Sequence, residues 1–449
     1  MAPDLRQFIG RILNADLNPP LAAVFARVSV ITLGDSPFSV RFPSLLAFFG
    51  AGLLIYAIAR RRWGGGYGLA AMTLLWSSGF LRYAAEARPY ALVLFFFTFS
   101  VFCWLRGTEK SGSTWAHVGL MGGTAAMFMA HCFAPLFAAS IGVGELVRTV
   151  TNRRIDWKVW IALLSPVPLA LTYIPLVRGA HGILYPPEFQ PTFLTPVRFY
   201  CWMVVRPEVL PILLFVIVSS RQRRESSPDY ARPHELAVAT TSFLAPLAIM
   251  LYSMCAHMAF WQRYGIGAAA SLSLVLIGAV AHRAKRNPAV GGAVALIVFI
   301  PFILSSGVLS PRHYGQPNSP GVHRTIRTDL PFVVASGLTF LEMDHRETPE
   351  FVRRLYYLTG GSVAHGTIFE ALPRMKQWLP VRANIQPYET FVAANKSFVV
   401  LGTPGYAEDW LLPKLKADGA HIESLGHVRT GYKDNHLFLV TIKDVTPIR

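Results

Sequence analysis

The sequence predicts a polytopic α-helical membrane protein of about ten transmembrane helices, followed by a small C-terminal α/β domain outside the cytoplasm. Of its 449 residues, 53% are hydrophobic and only 15% are charged, whereas about 25% of a soluble domain is charged. Apolar runs such as 91–99 lack the polar face that a helix of a soluble protein shows at helical period. After residue 328 the pattern changes to short strand-like and helix-like segments.

The apolar runs fix the candidate spans. A bilayer span needs about 20 mostly apolar residues, and several of the runs are shorter or are interrupted by proline. The candidate spans are residues 40–59, 67–83, 89–105, 115–131, 133–147, 158–177, 208–220, 236–257, 263–282 and 288–306.

Basic residues cluster in alternate loops and account for the net charge of +17. The positive-inside rule places these loops on the cytoplasmic face of the membrane. Nucleic acid is not an expected partner, because the basic residues lie at helix ends rather than in one patch. The clusters are Arg60 to Arg62, Arg106 with Lys110, Arg148 with Arg153 and Arg154, Arg221 with Arg223 and Arg224, and Arg283 with Lys285 and Arg286.

The C-terminal third predicts an open, partly parallel sheet. Strand-like runs at 332–336, 397–402, 421–425 and 437–442 alternate with a helix over 410–417 that stops at Asp418-Gly419. The predicted organisation is an outer-face loop with juxtamembrane helices at 1–39, a transmembrane domain at 40–306, a linker at 307–327 and a soluble domain at 328–449.

Metal and nucleotide motifs are missing from the sequence. Cys103, Cys132, Cys201 and Cys255 have no metal-ligand spacing, and the histidines form no zinc motif. We therefore expect no metal site and no required cofactor.

The segment 83–90 places Glu86, Arg88 and Tyr90 between two apolar runs. Charge at a bilayer boundary is expensive and usually marks function. An interfacial ion pair that anchors two helix ends is the alternative for Glu86 and Arg88, and Tyr90 fits an aromatic anchor. His131 fits a satisfied interfacial histidine at an outer helix turn, and Asp16 fits the N-cap of a helix that begins at Pro19.

Three motifs resemble the GT-C superfamily of membrane glycosyltransferases. Within it, they are most similar to the bacterial relatives of protein O-mannosyltransferases and of lipid A aminoarabinose transferase, which are like glycosyltransferase family 39. The resemblance covers roughly residues 10–300, and the motifs stand in the family's order on one predicted membrane face. They are Asp16-Leu-Asn18-Pro-Pro-Leu21 with a helix that opens Arg41-Phe-Pro-Ser44, Glu86-Ala-Arg88-Pro-Tyr90, and Arg263-Tyr264.

The resemblance implies an enzyme that passes a sugar from a polyprenyl-phosphate donor to an acceptor hydroxyl outside the cytoplasm. The acceptor is then a lipid, a glycan or a protein. It implies Asp16 and Glu86 as catalytic carboxylates, and Arg88 and Arg263 with Tyr264 as the donor-phosphate site. Asn18, Tyr90 and His131 would support them. A donor with one phosphate gives less reason to expect a divalent cation than a pyrophosphate donor would.

The sequence also departs from the family. The acidic pair of the family's first outer loop has no counterpart, and Asn18 replaces the usual histidine. We therefore expect that the first span is missing and that this exact chain is weakly active or inactive. Two other classes stay open: a transporter or flippase of lipid-linked sugars, and a catalytically inactive membrane scaffold whose tail binds a partner. A transporter often shows inverted repeats, and we see none in the sequence.

Overall fold

The computed structural model describes residues 19–109, 113–174, 190–204, 206, 209–220, 232–305, 329–360, 381–402, 410–430 and 433–442. They form a helical unit, with described residues between 19 and 305, and a C-terminal unit, with described residues between 329 and 442. The predicted linker at 307–327 lies outside the described residues, so the predicted domain boundaries stay predictions.

The helical unit is built from apolar helices, and two short 3-10 helices, Gly79–Ala84 and Gln262–Gly265, each lead into a long helix. In chain order the helices are α1 (Leu21–Leu33), α2 (Pro37–Trp63), α3 (Gly65–Ser77), α4 (Tyr90–Gly107), α5 (Thr114–Ala130), α6 (Ala134–Asn152), α7 (Trp157–Leu164), α8 (Val167–Leu171), α9 (Thr195–Val204), α10 (Leu210–Ser220), α11 (Pro233–Cys255), α12 (Ile266–Arg283) and α13 (Pro288–Ser305).

Four segments of the described chain are long and apolar enough to cross a membrane. They are α2, α4, α11 and the segment Gln262–Arg283, which contains α12. Shorter apolar helices accompany them, among them α1 and α10. The predicted fold class is confirmed: the chain is a multi-pass helical membrane protein with a small C-terminal sheet domain. The number of spans, about ten from the ~20-residue requirement, stays a prediction.

The helices depart from the predicted elements at three places. The expected span 67–83 ends as an α-helix at Ser77, and the chain turns at Ser78 into the first 3-10 helix. The expected span 158–177 is split between α7 and α8 at Pro166, because a proline lacks the N–H that would continue the helix. α1 begins at Leu21 with Pro20 at its N-cap, so the expected start at Pro19 is wrong by two residues.

Helices α2 and α4 run in the same direction and define two ends of the helical unit. Near their starts, the Ser44 hydroxyl donates to the Arg88 carbonyl at 3.1 Å. Near their ends, Arg61 pairs with Glu109 at 2.6 Å. The helical path from Ser44 to Arg61 rises about 26 Å, close to the thickness of a bilayer core. We call the end with Ser44 and Arg88 the motif end, and the end with Arg61 and Glu109 the basic end.

Further basic residues gather at the basic end. Arg148, near the end of α6, shares Glu145 with the indole of Trp104, near the end of α4. The turn after α12 reaches the same end, since Tyr67 at the start of α3 donates to the Asn287 carbonyl at 2.7 Å. The described members of the basic clusters thus lie at one end of the helical unit, whereas Lys110, Arg221, Arg223 and Arg224 lie outside the described residues. Which end faces the cytoplasm stays a prediction.

The C-terminal unit contains an open six-stranded sheet in the order β3-β2-β1-β4-β6-β5. Strands β1 to β4 are parallel, and β6 runs antiparallel between β4 and β5, so the predicted partly parallel sheet is confirmed. Its elements are β1 (Phe332–Val334), α14 (Gly337–Arg346), α15 (Pro349–Arg353), β2 (Leu355–Thr359), β3 (Asn384–Pro387), α16 (Tyr388–Ala394), β4 (Ser397–Gly402), α17 (Leu411–Ala417), β5 (His421–Thr430) and β6 (Lys433–Thr441).

Both faces of this sheet are buried. Phe398 and Val400 of β4 pack into one apolar cluster, and Val399 and Leu401 pack into a second. Burial on both faces produces the continuous apolar run that marked β4 in the sequence. At one edge of the described sheet, β5 shifts register between Ser424 and Gly426, and Gly426 has a φ of +113°.

Candidate active site

The connection between α3 and α4 carries Glu86 and Arg88 at the motif end. After the first 3-10 helix the chain bends, and the Arg88 N–H donates to the Glu86 carbonyl at 2.8 Å. Pro89 then caps α4 with a φ of −70°, which its ring fixes in advance. The two side chains therefore project from a short, tightly turned segment rather than from a regular helix.

Glu86 and Arg88 form an ion pair. Arg88 Nη1 lies 3.6 Å from Glu86 Oε2, with side-chain exposures of 46% and 35%. A pair this exposed contributes little to stability, about 0–1 kcal/mol. Glu86 and Arg88 are therefore in contact, as an ion pair that anchors two helix ends would require, but this contact contributes little stability. Glu86 Oε2 is also buried and accepts no hydrogen bond from the described part of the chain.

Arg263 lies in the second 3-10 helix and is surrounded by aromatic rings. Its guanidinium carbon is 4.7 Å from the ring centroid of Trp261, 5.5 Å from that of Tyr90 and 5.7 Å from that of Tyr264. Rings at such distances stabilise a cation through their quadrupoles. Its Nε is buried and has no acceptor among the described residues.

The aromatic contacts bring the separate motifs together. The ring of Tyr90 is 5.8 Å from that of Tyr83, 5.1 Å from that of His131 and 6.1 Å from that of Tyr264. His131 and Tyr264 also contact each other, with centroids 5.7 Å apart. We call Tyr83, Tyr90, His131, Arg263 and Tyr264 the aromatic cluster.

Tyr83 connects Glu86 to the aromatic cluster. The charges of Glu86 and of Arg263 both act on its phenol. Burial raises the pKa of Tyr83 above its usual value, so the phenol keeps its proton. The sequence-predicted residues Glu86, Arg88, Tyr90, His131, Arg263 and Tyr264 thus all lie at the motif end. Asp16 and Asn18 lie outside the described residues.

His131 is a neutral member of the aromatic cluster. It is the C-cap of α5, and its Nδ1 accepts the Phe133 N–H at 3.1 Å, which leaves the ring proton on Nε2. Burial, and secondarily the charge of Arg263, hold the pKa of His131 well below its usual range. The hydrogen bond from the Phe133 N–H is consistent with the interpretation of His131 as a satisfied interfacial histidine. The same ring also lines a cavity of about 140 Å³ with Cys132 and Tyr173.

Sequence reasoning missed Arg82. Its Nη2 donates to Tyr83 Oη at 2.8 Å and to Gln262 Oε1 at 2.7 Å. It thereby connects the segment with Glu86 to the turn with Arg263. The available signal was its position in the same outer loop as Glu86, but only the fold shows that Gln262 is its partner.

No group of three or more histidine, cysteine, aspartate or glutamate side chains in the described ranges could hold a metal ion. The expectation that no metal or cofactor is required stays a prediction.

Two comparisons show what the chain is similar to. The family model for dolichyl-phosphate-mannose-protein mannosyltransferases matches residues 17–175. The crystal structure of ArnT from Cupriavidus metallidurans bound to undecaprenyl phosphate superposes with a TM-score of 0.54 at 12% identity, over 94% of this chain and 87% of that chain. The chain shares the fold of this ArnT. The apo structure of the same ArnT superposes with a TM-score of 0.55 at 13% identity, over 96% of this chain and 92% of that chain.

The family-model match and the fold shared with ArnT agree with the resemblance that the three motifs suggested. The segment Glu86–Tyr90 falls within the residues 17–175 that the family model matches, and Arg263-Tyr264 falls outside them. No curated protein sequence matches the chain.

Proposed function

We propose that the chain transfers a sugar from a polyprenyl-phosphate donor to an acceptor hydroxyl at the motif end. The observation that carries this proposal is the position of Arg263. A cation from the second half of the chain lies against Tyr90, two residues from Arg88, on a fold shared with a protein crystallised with undecaprenyl phosphate.

Arg263 and Arg88 would hold the donor phosphate. A guanidinium donates to phosphate oxygens through a planar fork, and such charge-assisted hydrogen bonds are about twice as strong as neutral ones. The buried Nε of Arg263 has no acceptor among the described residues, so an anion there would satisfy it. Arg88 is 46% exposed and can turn toward the same phosphate.

The reaction then needs one proton acceptor. The bond between the anomeric carbon and the phosphate oxygen breaks, and its electron pair leaves with the phosphate. The acceptor oxygen bonds to the anomeric carbon, and its proton passes to a carboxylate. Glu86 is the candidate within the described chain, because Oε2 accepts no hydrogen bond there. Asp16 is the second candidate from the sequence.

The proposal also specifies the side of the membrane on which transfer takes place. The basic end would face the cytoplasm according to the positive-inside rule, so that transfer takes place on the outer face of a bacterial plasma membrane. The C-terminal unit would then lie outside the cytoplasm. A reporter fused after Arg449 that is active only in the cytoplasm would contradict this topology.

Binding of undecaprenyl phosphate to the purified full chain tests the donor site. We expect Arg263→Ala to weaken binding about 10- to 150-fold, since a hydrogen bond to a charged group contributes about 1.5–3 kcal/mol. Arg263→Lys keeps the charge but loses the planar fork of the guanidinium. Its affinity for undecaprenyl phosphate should lie between that of the wild type and that of Arg263→Ala. Arg198→Ala is the matched control, because Arg198 is exposed on α9 and belongs to no contact of the aromatic cluster. Equal binding by Arg263→Ala and the wild type would refute the donor site.

Turnover is measured separately, as transfer of radiolabelled sugar from polyprenyl phosphate by membranes that contain the chain. A general base contributes about 10²–10⁴-fold, so Glu86→Gln and Asp16→Asn identify the base by the size of their loss. Donor binding with no transfer, unaffected by either carboxylate variant, would show that the chain binds the donor without being a transferase.

A further inference from the structure

A second cavity lies at the basic end, far from the aromatic cluster. It has a volume of about 240 Å³ and is bordered by α2, α4, α11 and α12. Pockets for whole small molecules are typically about 300–1,000 Å³. This cavity therefore has room for part of a ligand, such as a stretch of acyl chain.

The walls of this cavity are apolar. Hydroxyl groups along them are already bonded within the protein: Thr98 donates to the Leu94 carbonyl at 3.0 Å, and Ser271 is paired with Ser242. They offer little to a polar ligand, whereas hydrocarbon gains from leaving water or from close packing. The apolar lining includes Ile55, Ile58, Phe97, Val101, Leu236 and Leu274.

The mouth of the cavity is positively charged. Arg61, Arg62, Arg106 and Arg232 line it together with Glu109 and Glu235, so four guanidinium groups face two carboxylates. Glu109 is shared by Arg61 at 2.6 Å and Arg106 at 3.5 Å, and Glu235 pairs with Arg62 at 3.1 Å.

Arg62 has a further hydrogen-bond donor to offer. Its Nε is buried and donates to no acceptor in the described ranges. A buried donor without an acceptor is costly, and a ligand oxygen at the mouth would remove that cost. The excess of positive charge favours an anionic oxygen.

We propose that this cavity binds an anionic glycerophospholipid, with one acyl chain between the four helices and the phosphate on the arginines at the mouth. The combination of an apolar cavity and a cationic rim selects a lipid with a charged headgroup over a soluble anion or a neutral lipid. The site is separate from the proposed sugar transfer, because α2 places the two ends about 26 Å apart.

Native mass spectrometry of the delipidated full chain with added dioleoyl phosphatidylglycerol or dioleoyl phosphatidylcholine tests the proposal. We expect the phosphatidylglycerol adduct to be preferred. Arg62→Gln should weaken it about fivefold, as expected for the loss of one basic residue near an anionic headgroup. Arg60→Gln is the matched control: it removes a charge from the same helix end, but Arg60 does not line the cavity.

Two further experiments test whether the lipid occupies the cavity. Ala270→Phe fills the apolar part and should abolish the adduct, while monodispersity in gel filtration reports whether the variant folds. For a variant that fails to fold, crosslinking of a diazirine-tailed phosphatidylglycerol to helices α4 and α12 of the wild type gives the same answer. Equal binding of both lipids, an equal loss in Arg60→Gln, crosslinks elsewhere, or displacement by glycerol phosphate alone would each overturn the proposal.

Discussion

Arg82 Nη2 lies 2.7 Å from Gln262 Oε1, a hydrogen bond between residues 180 positions apart in the chain. The same guanidinium lies over the ring of Trp202, with 5.5 Å between its carbon and the ring centroid. Arg82 thus fixes the loop that carries Glu86 beside the turn that carries Arg263. The candidate site depends on this connection for its geometry.

A double-mutant cycle measures the connection. Arg82→Ala, Gln262→Ala and the double variant should show a coupling free energy of about 0.5–1.5 kcal/mol, as for one hydrogen bond of a partly exposed group. The measurement is denaturant unfolding of the purified protein. Arg198→Ala with Gln262→Ala should be additive, and additive behaviour of the Arg82 pair would mean that the contact has no energetic effect.

Gly267→Ala should displace the start of α12. A Cβ at Gly267 would lie 2.4 Å from Cε1 of the buried Phe137, so the helix or the ring must move. Overpacking of this kind costs about 1–3 kcal/mol. Gly122→Ala on α5 is the control, because a Cβ there meets nothing within 4 Å. Its effect should be neutral or stabilising by up to about 1 kcal/mol. Thermal unfolding of both variants checks the difference, and equal melting temperatures would contradict the packing argument.

Glu145 should be more sensitive to substitution than the exposed carboxylate Glu109. Its side chain is fully buried and accepts from Trp104 Nε1 at 2.9 Å and from Arg148 Nε at 2.8 Å. Removing one partner of a buried pair typically costs about 3–5 kcal/mol, and the second partner of Arg148, Asp156, should reduce that loss. Glu109→Gln removes a carboxylate that is 40% exposed and should cost no more than about 1 kcal/mol. The measurement is the free energy of unfolding of Glu145→Ala and of Glu109→Gln. Similar losses of stability in the two variants would contradict the role of burial.

Stability should fall in mild acid because of His131. The unfolded chain takes up a proton near pH 6.5, whereas burial beside Arg263 lowers the pKa of the folded histidine far below that value. Between the two pKa values the unfolded state binds more protons, so stability is full above pH 6.5 and is lost as the pH falls. At pH 5.5 the loss from this group is about 1.4 kcal/mol.

His131→Asn isolates this contribution, because the amide oxygen can accept the Phe133 N–H in place of Nδ1. The wild type should lose more stability than this variant between pH 7.5 and 5.5. Identical pH profiles would show that His131 is already protonated in the folded protein or is exposed.

The shared end of Glu86, Arg88 and Arg263 could be predicted from the sequence. Each residue borders a long apolar run, and the basic clusters that alternate with them assign the ends. The partners Arg82–Gln262 and Trp104–Glu145 could not be predicted, because they join residues far apart in the chain whose contact only packing decides. Glu145 is a single acidic residue in the sequence of α6, and nothing in that sequence indicates that its side chain is buried.

In the C-terminal unit, strands β1, β4, β5 and β6 were predicted from their apolar runs, whereas β2 and β3 were not. Strand β2 is short and directly follows α15. Strand β3, Asn384–Pro387, contains polar residues and a proline, which usually argue against a strand. It is tolerated because it lies at the edge of the described sheet, where one side of the strand needs no partner.

The bulge at Ser424 and Gly426 has a consequence for the behaviour of the chain in concentrated solution. A long, flat edge strand is a template on which a second copy can add its own strand and start an aggregate. At Gly426, with its φ of +113°, the register of β5 shifts partway along the strand, so that the N–H and carbonyl groups without a partner in the described sheet do not form one continuous row. At the opposite edge of the described sheet, Pro387 of β3 has no N–H to offer an added strand, and the two edges together oppose polymerisation.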